Sequence, residues 1–516
     1  MERNNFLQHS SSVFSFVQKG EIKSVSKEEL QNKVDRLKLK LLSLGVKDKA
    51  RIGVMCKNGI ESIVAECAIT QLQCITVGFP REYYNNNVAE LCDKFKCSVV
   101  LCGRSEFKKV LSKNAPILNI TSLEFVGEVF PVEKNIDSED VFSVIFSSGS
   151  TGSLKGIKVS AKGLIEIIKC MSSVFPSGNH NSTILFMHFS FFQQKILMYY
   201  CLVNNINMLV VDERHTFKAL SEYPFTGLMA PPLMWENFEN LFNQGISARP
   251  LAKKLFNFSK NTGLIRLPFV KKLFFSELYK IFKPCCAYLW TGMAPTKEST
   301  VQFFQALGFP LINAYGLIET GPITANVRGA RDPLSLGHVI PKSCEIYLDN
   351  DTSEILITQD YPLAVAYINL ADMSEYPVYK GGVLHTGDLG RRNSSGNIDF
   401  IGRKDFLIVA PDGRKVSPEV IEAEFVEAIG CRWCVIEMKD DSLMLYVGLY
   451  DKALSDSELN LIVMRENRKR SHGFMVRQFA VLREPDISDD MFTRNMKINR
   501  GYFSSADIDR YTVKSE

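Results

Sequence analysis

Apolar residues at Leu30, Val34, Leu37, Leu41 and Leu44 recur at helical spacing and stop at Gly45, which predicts a helix from Lys27 to Leu44. Arg51 to Met55, Ile75 to Gly78 and Ser98 to Cys102 are apolar runs of strand length; Ile60 to Gln71 and Val88 to Phe95, between them, carry helical patterns. Strands that alternate with helices imply βαβ units and parallel pairing, so the chain reads as α/β from its start. The pattern continues with a helix over Ala161 to Ser173, strands at Ile184 to His188 and Met208 to Val211 around an apolar helix, and a strand at Ala287 to Trp290. A helix from Thr296 to Leu307, a strand at Leu311 to Asn313 and a strand-rich stretch from Ser353 to Leu384 come next. The charged cluster Arg403-Lys404-Asp405 after Gly402 reads as a boundary and hinge. It predicts a large domain over 1–402, with mixed sheets, and a small α+β domain over 403–516.

Composition narrows the function more than the fold. The net charge of +4 over 516 residues is too small for a general attraction to nucleic acid. Thirteen cysteines, scattered mostly through apolar runs, fit reduced thiols in a cytoplasmic protein. The pair Cys431-Arg432-Trp433-Cys434 has no second pair or histidine at zinc spacing and reads as core packing. No apolar segment follows Met1 in the manner of a secretory signal. The window Ile184 to Val211 is interrupted by Gln193, Gln194, Lys195 and three asparagines, too polar to span a bilayer. Leu251 to Lys283 interleaves eight basic residues with Leu, Phe and Ile, which suits either peripheral contact with an anionic membrane or acidic partner, or a solvated helix pair with snorkelling lysines.

The chemistry concentrates in Val141 to Ser160. Two β-like runs flank Ser147, Ser148, Gly149, Ser150, Thr151, Gly152, Ser153, Leu154 and Lys155, a strand-turn-strand pattern whose hydroxyls, glycines and lysine suit a polyphosphate. It departs from the P-loop, whose lysine directly follows glycine and opens a helix. A Gly/Ser hairpin that is only a turn has the same appearance. His188 lies in an aromatic run with Phe189 and Phe191, either as a hydrogen-bonded core histidine or as part of a pocket at a strand end. Glycine turns at Gly292-Met293-Ala294-Pro295 and Tyr315-Gly316 let backbone approach a flat ligand. Glu319 is a hard oxygen donor of the kind Mg²⁺ takes beside phosphates. Asp388, in a Gly-flanked turn, can accept from a ribose diol, though such turns also occur without a ligand.

Loop 147–156, turn 291–295, Tyr315-Gly316-x-x-Glu319, Thr386-Gly387-Asp388, Gly402-Arg403-x-Asp405 and Lys497 occur in the order and spacing of the adenylate-forming superfamily, which the chain resembles over nearly its whole length. Its 267–275 stretch, Gly316-Leu317-x-Glu319-Thr320-Gly321-Pro322 and Thr493-x-x-x-Lys497-x-x-Arg500 look most like long-chain acyl-CoA synthetases. The resemblance implies that a carboxylic acid, fatty or aryl, attacks ATP to give an acyl adenylate and pyrophosphate. A phosphopantetheine thiol, of CoA or of an acyl or peptidyl carrier protein, then takes the acyl group. It also implies roles. Ser147 to Gly152 and Lys155 would hold the β- and γ-phosphates, Glu319 would ligate Mg²⁺, and Tyr315 with Gly292 to Pro295 would flank adenine. Asp388 and Arg403 would bind ribose, Lys497 would reach the α-phosphate, and Asp405 would be the hinge.

Three departures stand out. Ile318 replaces the family's usual Ser or Thr, Asp412 replaces a glycine that passes the pantetheine arm, and Ser353 to Gln359 lacks glycines common there. An amino-acid adenylation domain and a nucleotide-binding protein without catalysis are the alternatives these leave open.

Overall fold

A computed structural model describes the chain apart from residues 1–5, 8, 9, 111–114, 131–136, 138, 139, 149–153, 248, 263–280, 283–285, 310, 327–331, 333, 334, 410–413, 440, 441, 450–453, 471–473, 484–486, 493–497, 506, 507, 509, 510 and 514–516. Gly149, Ser150, Thr151, Gly152, Asp412, Lys497 and more than half of the basic segment 251–283 therefore lie outside the described residues.

The first helix runs Lys27–Ser43 and buries Leu30, Val34, Leu37 and Leu41. Ser26 begins it with a reciprocal cap: its Oγ accepts from Glu29 N at 3.1 Å, and Glu29 Oε2 accepts from Ser26 N at 3.0 Å. Strands Arg51–Met55, Ile75–Gly78 and Cys97–Cys102 pair in parallel around helices Ile60–Gln71 and Val88–Phe95, as their alternation predicts. Val141–Ser148 pairs in parallel with Ile75–Gly78 and antiparallel with Leu154–Ser160, within a nine-stranded sheet.

A second sheet carries Ser182–Leu185, Asn207–Val210 and an N-terminal hairpin, Phe14–Gln18 with Glu21–Val25. A third joins Gly227–Ala230, Tyr288–Thr291, Leu311–Leu317, Gly321–Ala325 and His338–Val339; a fourth joins Cys344–Leu348, Glu354–Gln359, Leu384–Arg392 and Ile398–Arg403. After residue 403 come the hairpin Ile408–Val409 and Lys415–Val416, helices Pro418–Ile429 and Asp456–Asn467, and a sheet of Trp433–Lys439, Ser442–Leu449, Val476–Arg483 and Tyr511–Thr512. Two buried clusters, one around Phe425 and Leu445 and one around Trp433 and Phe503, contain only residues from Ile408 onward.

Several expectations are corrected. The strand expected to reach His188 ends at Leu185, because the chain bends at Met187 and turns at Phe189–Ser190, leaving His188 between the two. The strand expected to end at Asn313 continues to Leu317, so Tyr315 and Gly316 are strand residues beside a register shift rather than a turn. Asp388 likewise sits inside the strand Leu384–Arg392. Nothing in the local pattern predicts the hairpin before residue 27, whose partner strand begins at Asn207. Lys195, expected as a polar interruption, is only 1% exposed, with Nζ 2.7 Å from Glu66 Oε1. Among the described residues no helix is long and apolar enough to cross a membrane.

Candidate active site

The strand ends of the first, third and fourth sheets and the face of helix Pro418–Ile429 border one cleft of about 4020 Å³. On its floor Ser147 stands opposite Lys155 across the antiparallel pair, where the two strands enter the loop. Ser147 Oγ is buried without a hydrogen-bond partner among the described residues. A hydroxyl left so costs on the order of 1–3 kcal/mol unless a ligand or water meets it. Lys155 Nζ lies 3.3 Å from Glu319 Oε1 and 3.8 Å from the centre of the Tyr367 ring, and Tyr367 Oη donates to the same Glu319 oxygen at 2.8 Å. Burial first, and then Glu319, push the Tyr367 phenol up, so it keeps its proton and stays a donor. The lysine of the loop and the carboxylate of a distant strand turn thus meet through an aromatic residue that no local sequence pattern singles out.

A second carboxylate is held as firmly. Tyr315 Oη donates to Asp388 Oδ2 at 2.7 Å and Arg403 Nη1 to Asp388 Oδ1 at 2.7 Å. Asp388 and Arg403 are register partners on adjacent strands, which accounts for the contact. Thr386 Oγ1 accepts from Asp388 N at 2.9 Å and donates to Ile355 O at 2.7 Å, fixing the strand beneath. Gly316 lies where the backbones crowd: a Cβ there would fall 2.0 Å from Gly321 O. Of the turn 292–295, Met293, Ala294 and Pro295 face the cleft, whereas Gly292 lies behind it, its Cα facing Ala314 O.

His188 lines the cleft and is fully bonded. Nε2 is 2.9 Å from Cys56 O, which can only accept, so Nε2 carries the hydrogen; Nδ1 then accepts from Ser190 N at 3.2 Å and Ser190 Oγ at 2.9 Å. Burial lowers its pKa to about 4. An unfolded chain takes up this proton as pH falls through 6.5, while the folded one resists to about 4. Stability from this group is therefore complete at neutral pH and is lost as pH drops between those values. Urea midpoints measured from pH 7.5 to 4.5 are expected to fall less steeply in His188→Gln than in the parent; equal slopes would contradict this. Phe191 borders the cleft beside His188, but Phe189 turns away into the main core, its N–H on Asn58 Oδ1 at 3.1 Å.

Asp405 sits on a short turn, Lys404–Phe406, half exposed and 3.9 Å from Arg403 Nη2. Just before it, a Cβ on Gly402 would fall 1.9 Å from Ser417 Oγ, so the chain passes close against the start of helix Pro418–Ile429. On the far wall Arg500 makes a two-pronged pair with Glu422 at 2.8 and 2.7 Å, and Ile498, Asn499 and Arg500 line the cleft.

The residues present suit a magnesium nucleotide: an unmet buried hydroxyl and a lysine beside it, a hard-oxygen carboxylate at Glu319, and a second carboxylate at Asp388 held by Tyr315 and Arg403.

The fold is that of adenylate-forming enzymes. The chain belongs to the AMP-binding enzyme family, whose model matches residues 6–359. It is 22% identical over 476 residues to fatty acyl-CoA synthetase A of Dictyostelium discoideum, covering 80% of this chain and 69% of that protein. It is 32% identical over 184 residues to the long-chain-fatty-acid–CoA ligase heimdall of Drosophila melanogaster, covering 34% of this chain and 26% of that protein. The structure of o-succinylbenzoate CoA synthetase from Bacillus subtilis superimposes with a TM-score of 0.73 at 15% identity, covering 98% of both chains.

Proposed function

We propose that this protein is an ATP-dependent acid–thiol ligase of the AMP-forming kind. The carrying observation is that two fixed carboxylates, Glu319 with Lys155 and Asp388 with Arg403, line the same cleft as the buried, unmet hydroxyl of Ser147. A carboxylate oxygen of the substrate attacks the α-phosphorus of ATP, the bond to the β-phosphate oxygen breaks, and acyl adenylate and pyrophosphate result. A phosphopantetheine thiol, from CoA or a carrier protein, then attacks the acyl carbon, losing its proton, and AMP leaves.

Ser147, the loop 148–152 and Lys155 hold the β- and γ-phosphates; Asp388 accepts from the ribose hydroxyls with Arg403 beside it; Tyr315, Gly316 and the turn 292–295 flank the base. Glu319 would hold a magnesium ion, which would supply charge neutralisation beside the phosphates. Residues 1–402 form the nucleotide and acid unit, and 403–516 the mobile unit that turns about Asp405. The acid is fatty or aryl, because Phe186, Met187, Phe191, Leu233 and Met293 make that part of the wall apolar. The protein acts in the cytoplasm, with the basic segment 251–283 as its route to any membrane surface.

Carboxylate-dependent ATP–pyrophosphate exchange across fatty, aryl and amino acids tests this directly. Exchange with fatty or aryl acids is expected. No exchange with any acid would refute it, and exchange with amino acids alone would favour a peptide-synthetase type of domain.

Ile318, which lines the cleft beside Glu319, offers no hydrogen-bond donor. Ile318→Thr restores one and is expected to raise kcat/KM for ATP by about fivefold, corresponding to ~1 kcal/mol. An unchanged or lower value would mean that the phosphates do not reach this position.

A further inference from the structure

Helix Pro418–Ile429 ends on Gly430 in the left-handed conformation, φ 67°, and the chain passes through Cys431-Arg432 into strand Trp433–Lys439. Cys431 Sγ and Cys434 Sγ lie 3.3 Å apart. Closing to a disulfide, about 2.05 Å, asks for little more than an ångström of movement across two intervening residues. Cys434 is buried at 2% exposure, whereas Cys431 is half-buried on the cleft wall, open to a small reagent. Burial, then the contact with Cys431, hold the Cys434 thiol well above its ordinary pKa. Cys434 therefore keeps its hydrogen and can donate it to the more accessible sulfur. Among the described residues no group of three His, Cys, Asp or Glu is placed to hold a metal.

Arg432, between the two thiols, fastens this part of the chain to the opposite wall. Its carbonyl accepts from Lys297 Nζ, and its guanidinium donates to Asn237 Oδ1 on helix Pro232–Ser247. Lys297 is itself anchored 2.9 Å from Glu236 Oε2.

We propose that Cys431 and Cys434 form a reversible oxidation site, in which a peroxide converts the pair to a disulfide that displaces Arg432 and releases its hold on Lys297 and Asn237. The Cys431 thiolate attacks one peroxide oxygen, the O–O bond breaks, and the departing hydroxide takes up the proton that Cys431 gave up, forming water. The Cys434 thiol then attacks the Cys431 sulfenic sulfur; its proton joins the leaving hydroxyl as a second water. Two electrons pass from the two sulfurs to the peroxide, and an added dithiol reverses the change. Resting on the proposed adenylation, the released unit carries Ile498 to Arg500 away from the cleft, so oxidation slows acyl adenylate formation.

Trypsin provides the test, because it cuts after Arg432 and so separates the two cysteines. After hydrogen peroxide, the peptide ending at Arg432 and the one beginning at Trp433 are expected to stay joined until dithiothreitol is added. Amide hydrogen exchange across Pro232–Ser247 is expected to quicken severalfold in the oxidised protein, to return on reduction, and to stay unchanged in peroxide-treated Cys431→Ser. Unjoined peptides with Cys431 oxidised to sulfinic acid would overturn the site. Joined peptides with unaltered exchange across Pro232–Ser247 would overturn the release. Both measurements stand apart from catalysis, so absence of adenylation with every acid would count against the proposed function and not against this pair.

Discussion

Lys497→Ala is expected to lower carboxylate-dependent ATP–pyrophosphate exchange by about 100- to 1,000-fold, the usual effect of removing one group that meets charge developing in a transition state. The cations described at the nucleotide end of the cleft are already matched: Lys155 stands against Glu319, and Arg403 against Asp388. Negative charge gathering on the α-phosphate and the attacking carboxylate needs a further cation. Lys497 lies outside the described residues, but its three C-terminal neighbours are firmly held. Ile498 bridges to Phe492, Asn499 N donates to Met491 O at 2.8 Å, and Arg500 grips Glu422. With these ties intact the unfolding midpoint of the variant is expected to match the parent's, so that the loss reads as chemistry. Exchange at the parental rate would remove Lys497 from the reaction.

The second large effect is expected at Asp388. Asp388→Ala takes the acceptor from Tyr315 and Arg403 together, leaving a phenol and a guanidinium facing a gap. Breaking a buried charge pair from one side costs about 3–5 kcal/mol; Arg403 is 29% exposed, so water relieves part of this and the stability loss is expected to be about 3 kcal/mol. ATP binding is expected to be lost with it. Asp388→Asn keeps the shape and one acceptor and is expected to fold better while still binding ATP poorly. Denaturant titration and equilibrium nucleotide binding separate the two contributions. Parental ATP affinity in the Asn variant would show that no ribose contacts this carboxylate.

How much of the molecule is legible in the chain depends on how local each signal is. The βαβ run from Arg51 to Cys102 is readable because each element repeats its own period within a dozen residues. The register of Asp388 against Arg403 is not visible as a pattern, and both residues are found only through their place in a family of motifs. Tyr367 escapes because its partner Glu319 lies 48 residues away, in a turn that meets the strand of Tyr367 through a backbone bond, Ala364 N to Glu319 O, that no local spacing announces. Phe189 and Phe191 read as parts of the same pocket, but in a bend two nearby rings have no period to sort them, and Phe189 faces the core. Lys195 reads as a polar interruption because a lysine alone cannot be buried; Glu66, far off in sequence, makes the burial possible.

The N-terminal hairpin has a consequence for how the chain is made. Phe14–Gln18 aligns in parallel beside Asn207–Val210, so once this strand leaves the ribosome it has no neighbour on that edge until some two hundred residues later. At about 5–20 residues per second, that wait lasts on the order of ten seconds or more. During it Phe14, fully buried in the finished protein, is without the sheet that covers it. Nascent chains halted before residue 207 are therefore expected to recruit holding chaperones at this hairpin, and chains released after residue 211 to let them go.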